Sequence, residues 1–319
     1  QNPTMGEEWR RGWHPEFIAK KGSESSVLVI GAGPAGLEAT RALGQRGYRV
    51  TLAEATRELG GRVTRESKLP GLSEWQRVRD YRLQQIDVMP NVEVFRESEL
   101  SVDEVLAVKA DHIVFATGAA WRADGFGRSN LHPLTTLSPD ARILTPDDVM
   151  AGHLPDGPTV IFDDDSFYMG GVIAEQVRRA NVPVSLVTPE NVVSAWCEYT
   201  SEQYQVQKHL LELGVEIKTA HSLLAYDGRE VTISCTHTGR QQSIKADALI
   251  LVTARRPRDE VYQNLNRRVE SGVQTPFRSV RRIGDCEAPA IIAAAVHSGH
   301  RYARELDTES DPDVPLRLE

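Results

Sequence analysis

The stretch that most constrains this fold is residues 27–38, VLVIGAGPAGLE. Its first four residues are apolar and mostly β-branched, which predicts a fully buried parallel strand. A Gly-x-Gly-x-x-Gly turn follows, and the next residues predict a helix that ends near Gly47. In such a turn Gly31 permits the sharp bend, Gly33 leaves room for a pyrophosphate and Gly36 lets the helix pack against the sheet. The free N–H groups at the helix start favour a bound phosphate.

A second strand and an acid complete the pattern. Residues 49–53 predict a strand, and Glu54 follows it. This is close to the spacing of the acid that binds a ribose hydroxyl in dinucleotide-binding folds. A glycine turn alone also occurs in α/β proteins of other function, and that alternative stays open. Because strand, glycines, helix, strand and acid occur in order, we predict an adenine nucleotide here.

Composition and charge exclude several classes of function. The net charge of −8 disfavours a nucleic-acid partner, because the phosphates would be repelled. The apolar runs are much shorter than a membrane span, and no secretory signal is recognisable. Cys197, Cys235 and Cys286 form no CxxC pair, which is typical of proteins in a reducing compartment. We therefore expect a cytoplasmic protein that binds neither nucleic acid nor membrane.

Further motifs follow the first unit. Gly60-Gly61 predicts a second close approach of backbone to ligand, with a plain turn as the alternative. Residues 111–119 predict a buried strand that includes Thr-Gly near its end, and residues 281–285 predict a short strand that ends in Gly-Asp. Residues 159–187 repeat the strand–turn–helix–strand plan. The sequence therefore predicts two Rossmann-like units.

The turn of the second unit differs from a nucleotide turn. It carries Asp163, Asp164 and Asp165, followed by the bulky Phe167 and Tyr168. Like charges near a pyrophosphate would oppose its binding, and the aromatic side chains leave little room for close approach. We therefore predict that this unit binds no nicotinamide nucleotide. For the three acids, a solvated acidic turn is favoured over a metal site.

The sequence suggests no catalytic group. It has no redox cysteine pair, no interpretable Ser/His/Asp order and no paired histidine ligands. His297 and His300 are interpreted as surface or helix polar residues rather than catalytic ones. We predict no catalytic residue and no metal ligand in this chain.

Taken in order, these motifs resemble the flavoproteins of the glutathione-reductase-like group, which have two dinucleotide-binding domains. The resemblance implies an α/β fold with one Rossmann-like domain inserted into another. It implies a connector at 1–22, an FAD- or ADP-binding domain at 23–145 plus 262–319, and an inserted, degenerate NAD(P)-like domain at 146–261. The nucleotide contacts it implies are Gly31, Gly33, Pro34, Ala35, Gly36, Glu54, Ala55, Gly61, Arg62, Leu100, Thr117, Gly118 and Asp285.

A narrower resemblance lies in QNP at 1–3, GEE at 6–8, RRGWHPE at 10–16 and LPGLSEW at 69–75. These segments resemble the trimethylamine and histamine dehydrogenases. In those proteins an FMN-binding β/α barrel and a four-iron cluster precede two domains like these. The resemblance implies that FMN and the cluster belong to an N-terminal part missing from this sequence. We then expect an exposed apolar patch around Trp9, Trp13, Leu72 and Trp75, where that part would pack.

Two functions of different classes are consistent with these motifs. One is a non-catalytic module that binds ADP or FAD within a larger amine dehydrogenase. In that role it would dock an electron-transfer flavoprotein and belong to a homo-oligomer of the full-length protein. The other is a stand-alone FAD-dependent reductase that oxidises NAD(P)H. The acidic turn favours the first.

Overall fold

The computed structural model describes residues 2–4, 6–7, 13 and 17–307, which form two compact units. The first unit comprises Gln1–Ser67, Glu74–Ala119 and Pro257–Glu319, and the second comprises Lys68–Ser73 and Ala120–Arg256. The second unit is therefore inserted into the first, as the predicted fold class requires. Within the described ranges, no helix combines the length and the apolar composition that a membrane span needs.

Helices and strands alternate through most of the chain. In chain order they are β1 (Ser26–Ile30), α1 (Pro34–Arg46), β2 (Arg49–Ala53), α2 (Arg62–Glu66), α3 (Gln76–Asp87), β3 (Val92–Phe95), α4 (Val102–Ala107), β4 (His112–Phe115), β5 (Ala119–Trp121), β6 (Ile143–Leu144), α5 (Pro146–Met150), β7 (Thr159–Asp163), α6 (Tyr168–Arg179), β8 (Val184–Val187), α7 (Gln203–Glu212), β9 (Glu216–Lys218), β10 (His221–Tyr226), β11 (Glu230–Cys235), β12 (Gln241–Lys245), β13 (Ala248–Val252), β14 (Arg255–Pro257), α8 (Glu260–Glu270), β15 (Ser279–Arg282) and α9 (Ile292–Glu305). Short 3-10 segments lie at Ser73–Trp75, Ala195–Thr200 and Gly284–Cys286.

The first unit is built on a parallel sheet with the strand order β15-β4-β1-β2-β3. Strand β1 is buried on both faces, which explains its continuous apolar sequence. Val27 and Val29 belong to a core cluster with residues of α1 and α9. Leu28 and Ile30 belong to a second cluster with residues of α4 and α8. The two clusters fix the carboxyl end of β1, from which the chain turns into α1.

Helix α9 packs unusually close to the first turn of α1. A side chain at Gly299 would place its Cβ 2.1 Å from the carbonyl oxygen of Ala35 and 3.1 Å from the nitrogen of Ala39. Only glycine permits this approach of one helix to the backbone of another. Ala295, one turn earlier on α9, is buried in the core cluster that also contains Ala35 and Ala39. The position of the α1 start therefore depends on α9.

The second unit repeats the parallel plan, with the strand order β6-β13-β7-β8-β9 and an additional antiparallel sheet, β10-β11-β12. Leu134, Leu137 and Ala141 pack against its core cluster. Residues 120–145, which we expected in the first domain, therefore belong to the second compact unit. Strands β5 and β14 pair where the chain passes between the units. The inner boundaries thus lie near residues 120 and 256 rather than near 146 and 261.

We expected an exposed apolar patch around Trp9, Trp13, Leu72 and Trp75. This expectation is wrong for Trp13 and Leu72, which are buried. The exposed fraction is 6% for Trp13 and 8% for Leu72. Trp13 packs edge-on against the ring of His300, with 5.4 Å between the ring centroids. Trp9 lies outside the described residues. The expectation failed because the connector contributes Trp13 to the interior of the first unit.

A buried ionic cluster joins α1, α3 and α9. Glu38 accepts hydrogen bonds from Arg41 at 2.6 Å and Arg82 at 2.7 Å, and its carboxylate lies 2.8 Å from Nδ1 of His300. Both Glu38 and His300 are fully buried. Burial alone would raise the pKa of Glu38, but the bonds from His300 and Arg41 and the charges of Arg41 and Arg82 lower it to about 2.

The two histidines, interpreted from the sequence as surface or helix polar residues, both lie on α9 and differ in burial. His300 is an interior residue, because Glu38 supplies a buried partner for its ring. His297 is half-buried, and its Nε2 lies 2.9 Å from a carboxylate oxygen of Glu7.

We expect Glu38→Gln to destabilise the first unit by about 3 kcal/mol at neutral pH, because it leaves buried cations without their anion. The pKa of Glu38 is depressed from 4.5 to about 2, so its stabilising contribution is complete above pH 4.5 and is lost as the pH falls toward 2. Urea unfolding at several pH values measures this. The wild-type protein should lose stability through this window more steeply than Glu38→Gln, and exposed Glu93→Gln should behave as wild type. Equal slopes for all three proteins would contradict the ionic role.

Candidate functional site

The glycine-rich turn has the geometry that the sequence predicts. Gly31 has a φ of +101°, and an added Cβ would lie 2.5 Å from the carbonyl oxygen of Ala116. An added Cβ at Gly36 would lie 1.9 Å from the carbonyl oxygen of Gly31. Gly33 is different: its φ is −73°, and an added Cβ would meet nothing within 4 Å. Gly31 and Gly36 are thus required by the fold, whereas Gly33 faces open space at the start of α1.

Two further glycine loops lie against this turn. The nitrogen of Gly60 donates to the carbonyl oxygen of Ala32 at 2.8 Å. Gly61 has a φ of +54°, and an added Cβ would lie 3.0 Å from Cα of Gly33. Gly284 has a φ of +60°, and an added Cβ would lie 2.6 Å from Cβ of Ala35. The Gly-Gly pair therefore packs against the glycine-rich turn rather than forming a separate surface turn.

An ion pair connects these two loops. Nη1 of Arg62 lies 2.7 Å from Oδ2 of Asp285 and donates to the carbonyl oxygen of Ala290 at 2.8 Å. Nε of Arg62 donates to Glu66 at 2.8 Å. Asp285 also accepts a hydrogen bond from the nitrogen of Ala290 at 3.0 Å. The exposed fractions are 13% for the Arg62 side chain and 6% for that of Asp285, so the pair is largely excluded from water.

Glu54 lies beside the turn, as its spacing predicts. One carboxylate oxygen accepts from the nitrogen of Ala32 at 2.7 Å, and the other accepts from the nitrogen of Thr56 at 2.9 Å. Ala55 is exposed next to it, and Pro34 and Ala35 are buried in the first turn of α1. The turn and its flanking loops thus bring together most of the predicted contacts.

The predicted Thr-Gly contact pairs with the returning chain. The carbonyl oxygen of Gly118, which has a φ of +76°, accepts from the nitrogen of Arg258 at 2.9 Å. The hydroxyl of Thr117 donates to the carbonyl oxygen of Arg258 and lies 3.1 Å from Sγ of Cys286. Burial raises the pKa of the Cys286 thiol. Leu100 packs against the core cluster that contains Cys286, so its described contacts are structural.

The acidic turn of the second unit is not solvated, and that expectation is wrong. Asp163 is fully buried and Asp164 has an exposed fraction of 2%. Oδ1 of Asp163 accepts from the nitrogen of Ser166 at 3.0 Å, and its other oxygen has no hydrogen-bond partner. An added Cβ at Gly170 would lie 2.3 Å from that oxygen, so Asp163 fills the space that this glycine leaves. Burial and the nearby charge of Asp165 raise the pKa of Asp163 to about 8.

A covering segment, residues 127–129, contacts residues at the carboxyl ends of β7 and β13. Strand order reverses between these two strands, and open α/β sheets bind ligands at such a point. Gly127 lies between their ends, since an added Cβ would be 2.2 Å from Oδ2 of Asp164 and 3.2 Å from Cβ of Thr253. The nitrogen of Ser129 donates to Asp164 at 2.8 Å. Sequence reasoning missed this segment, because a short polar loop with glycines carries no specific pattern.

An aromatic stack adjoins this covering segment. The rings of Phe167 and Trp196 stack with 5.6 Å between their centroids. The guanidinium of Arg128 lies 5.7 Å from the first centroid and 5.2 Å from the second. Within the described ranges, no group of three or more His, Cys, Asp or Glu side chains is arranged to hold a metal ion.

The two units define a class of protein. Each unit has a parallel sheet, the second unit is inserted into the first, and the first carries a glycine-rich turn. This arrangement is the FAD/NAD(P)-binding fold of glutathione-reductase-type oxidoreductases. Residues 25–150 match the family described as pyridine nucleotide-disulphide oxidoreductase. The predicted fold class is therefore confirmed.

Homologues of the chain include two amine dehydrogenases and an amine oxidase. The chain is 35% identical to dimethylamine dehydrogenase of Hyphomicrobium sp. (strain x), over 98% of this chain and 46% of that protein. It is 47% identical to histamine dehydrogenase from Rhizobium sp. 4-9, whose structure superposes with a TM-score of 0.95 over 100% of this chain and 50% of that one. The 6-hydroxypseudooxynicotine amine oxidase of Pseudomonas geniculata N1 is 41% identical, with a TM-score of 0.91 over 97% of this chain and 46% of that one.

The chain is a homologue of the flavin-dependent amine dehydrogenases, as its opening segment and nucleotide motifs predicted. Its matched family model is consistent with the C-terminal FAD/NAD-binding part of those proteins and implies FAD-type nucleotide binding. The chain spans about half the length of these relatives.

We expect Asp163→Asn to stabilise the second unit increasingly as the pH rises. The folded pKa of Asp163 is raised from 3.8 to about 8, so the wild-type protein is most stable below pH 3.8 and loses stability as the pH rises toward 8. Between pH 5 and pH 7 the variant should gain about 3 kcal/mol relative to wild type. Denaturant unfolding at both pH values measures this. Exposed Asp156→Asn serves as control, and a gain that does not depend on pH would argue against a protonated Asp163.

Proposed function

We propose that this chain is the adenine-nucleotide-binding portion of a flavin-dependent, iron–sulfur amine dehydrogenase, and that the first unit holds the nucleotide at the start of α1. The observation that carries this proposal is Gly33. It is a glycine in the turn whose added Cβ would meet nothing in the protein, although its φ is one that other residues adopt readily. A glycine that the fold does not require is explained by a ligand that needs the space.

The surrounding groups suit the ADP half of a dinucleotide. The first intrahelical bond of α1 runs from the nitrogen of Leu37 to the carbonyl oxygen of Gly33, so earlier N–H groups of the helix have no partner within it. These groups and the positive end of the helix dipole favour a diphosphate. Glu54, next to Ala32, is positioned to accept hydrogen bonds from ribose hydroxyls.

The second unit has a structural role in this proposal. We propose that residues around Gly127 and Arg128, which contact the ends of β7 and β13 and the aromatic stack, take the place of a nicotinamide nucleotide. The reason for exclusion therefore differs from the predicted one: Asp163 and Asp164 are buried within the unit and do not face a ligand, while the chain fills the crevice. This feature argues against a stand-alone reductase that oxidises NAD(P)H.

The remaining assignments follow from the relatives. The chain spans about half of their length, so we assign amine oxidation, FMN and the four-iron cluster to a part of the protein outside this sequence. An electron-transfer flavoprotein as partner, a homo-oligomeric full-length protein and a cytoplasmic location belong to the same proposal.

We expect Gly33→Val to weaken ADP binding by a factor on the order of 100, because the side chain would occupy the place of the diphosphate. Isothermal titration of the purified chain measures the affinity. The thermal unfolding midpoint should stay near that of wild type, because an added Cβ at Gly33 meets nothing within 4 Å. Unchanged ADP affinity in the folded variant would refute the site.

Gly36→Ala provides the opposite control. Its Cβ would lie 1.9 Å from the carbonyl oxygen of Gly31, so this variant should lose thermal stability as well as ADP affinity. The comparison separates a glycine that the ligand requires from one that the fold requires.

We expect no saturable binding of NADH or NADPH at micromolar concentrations, because the crevice of the second unit is filled by its own chain. Fluorescence titration of the unmodified chain measures this. Asp163→Asn should not create a site, since Asp163 is buried below the crevice surface. Saturable micromolar binding would restore the reductase hypothesis.

A further inference from the structure

The connector, residues 1–22, packs against the helix on which the position of the α1 start depends. The ring centroid of Trp13 lies 5.9 Å from that of His297 and 5.4 Å from that of His300. The guanidinium of Arg304 lies 4.7 Å from the centroid of the same ring. These three residues of α9 are spaced at i, i+3 and i+7, so they lie on one face of the helix. Trp13 therefore packs along about two turns of α9.

A second side chain of the connector contacts the same helix. A carboxylate oxygen of Glu7 lies 2.9 Å from Nε2 of His297, and the Glu7 side chain is buried. A carboxylate is stable in a protein interior only where a partner compensates for the lost water. The connector is thus held on α9 at two points, an aromatic one at Trp13 and a polar one at Glu7.

The part of α9 that contacts Trp13 also contacts the first turns of α1. An added Cβ at Gly299 would lie 2.1 Å from the carbonyl oxygen of Ala35, so no free space separates the two helices there. The next residue, His300, lies through Nδ1 2.8 Å from the carboxylate of Glu38. Because protein interiors are close-packed, a displacement of α9 at these residues must be transmitted to the start of α1. Trp13 and the proposed diphosphate position therefore lie on opposite sides of one rigid contact.

We propose that the connector and the nucleotide stabilise one another through α9. Packing of Trp13 on His297 and His300 holds the first turn of α1 in the conformation that binds the diphosphate, and bound nucleotide in return holds the connector on α9. This inference rests on the proposed function, because it concerns the regulation of the same turn. By thermodynamic linkage, the connector strengthens nucleotide binding by the same factor by which the nucleotide strengthens connector packing. Trp13 is then a positioning residue, which acts on the ligand without touching it.

Isothermal titration of the full chain with ADP measures one side of this linkage. Trp13→Ala should weaken ADP binding by about fivefold or more, the lower end of the range for linked sites, because α9 loses its aromatic contact with the connector. Trp13→Phe keeps an aromatic ring and should retain most of the affinity. Phe17→Ala changes an exposed side chain of the same connector, so it should bind ADP as wild type does.

Hydrogen–deuterium exchange, read by mass spectrometry, measures the other side. Saturating ADP should slow exchange in the peptide that contains Trp13, and this protection should be lost in Trp13→Ala. Val105→Ala controls for a general loss of stability, because it removes buried volume from the second core cluster of the first unit. It should lower the free energy of unfolding but leave both the ADP affinity and the protection of the connector unchanged.

The outcomes separate this inference from the proposed function. Folded Trp13→Ala with wild-type ADP affinity, or ADP that protects α1 but not the connector, would overturn the inference and leave the nucleotide site in place. Equal losses of ADP affinity in Trp13→Ala and Val105→Ala would also overturn it. Wild type that binds no ADP would overturn both. Thermal unfolding identifies the folded variants, and exchange of the wild-type chain with and without ADP keeps the test decisive if Trp13→Ala does not fold.

Discussion

The first unit depends on the contact between the carbonyl oxygen of Gly31 and the α-carbon of Gly36. An added Cβ at Gly36 would lie 1.9 Å from that oxygen, so the chain can leave β1 and enter α1 this abruptly only without a side chain there. This turn also places Gly33 toward open space and Ala35 against Gly284 and Gly299. One close backbone contact therefore sets the direction of α1, the packing of α9 and the position of the proposed ligand.

The second unit has the same strand–turn–helix plan, but its helix start does not depend on a close contact between two glycines. Gly170 also stands at a helix start, but the space it leaves is filled by the carboxyl group of Asp163 rather than facing a ligand. Gly127 and Ser129 then contact Asp164 at the strand ends. A parallel sheet with a crossover helix is thus kept as a fold, while protein atoms contact each other at its strand ends. Fold and binding are separable properties of the Rossmann plan.

The sequence predicted local features well and burial poorly. The bend at Gly31 and the close packing at Gly36 depend on residues near in sequence, and both are present. The interior positions of Asp163 and His300 depend on Gly170 and Glu38, which tertiary packing brings to them. From sequence alone, a charged or titratable residue is predicted to be exposed, because the partner that would stabilise it in the interior is not known.

The site followed the same rule. Spacing predicted Glu54 beside the turn, but nothing in the pattern linked Arg62 to Asp285 across more than 200 positions of sequence; their separation is 223. The boundary at residue 120 was missed for a related reason, because residues 120–145 contain mainly a short strand and loop segments whose partners lie later in the chain.

The cluster around Glu38 also sets an order for folding during synthesis. Its partners Arg82 and His300 lie 44 and 262 positions further along the chain. Until the ribosome has made α9, Glu38 of α1 lacks His300 as a partner for its carboxylate. Helix α1 also lacks the helix that packs on Ala35. The nucleotide turn is translated before the inserted unit, but its packing is completed only after that unit, when α9 has been made.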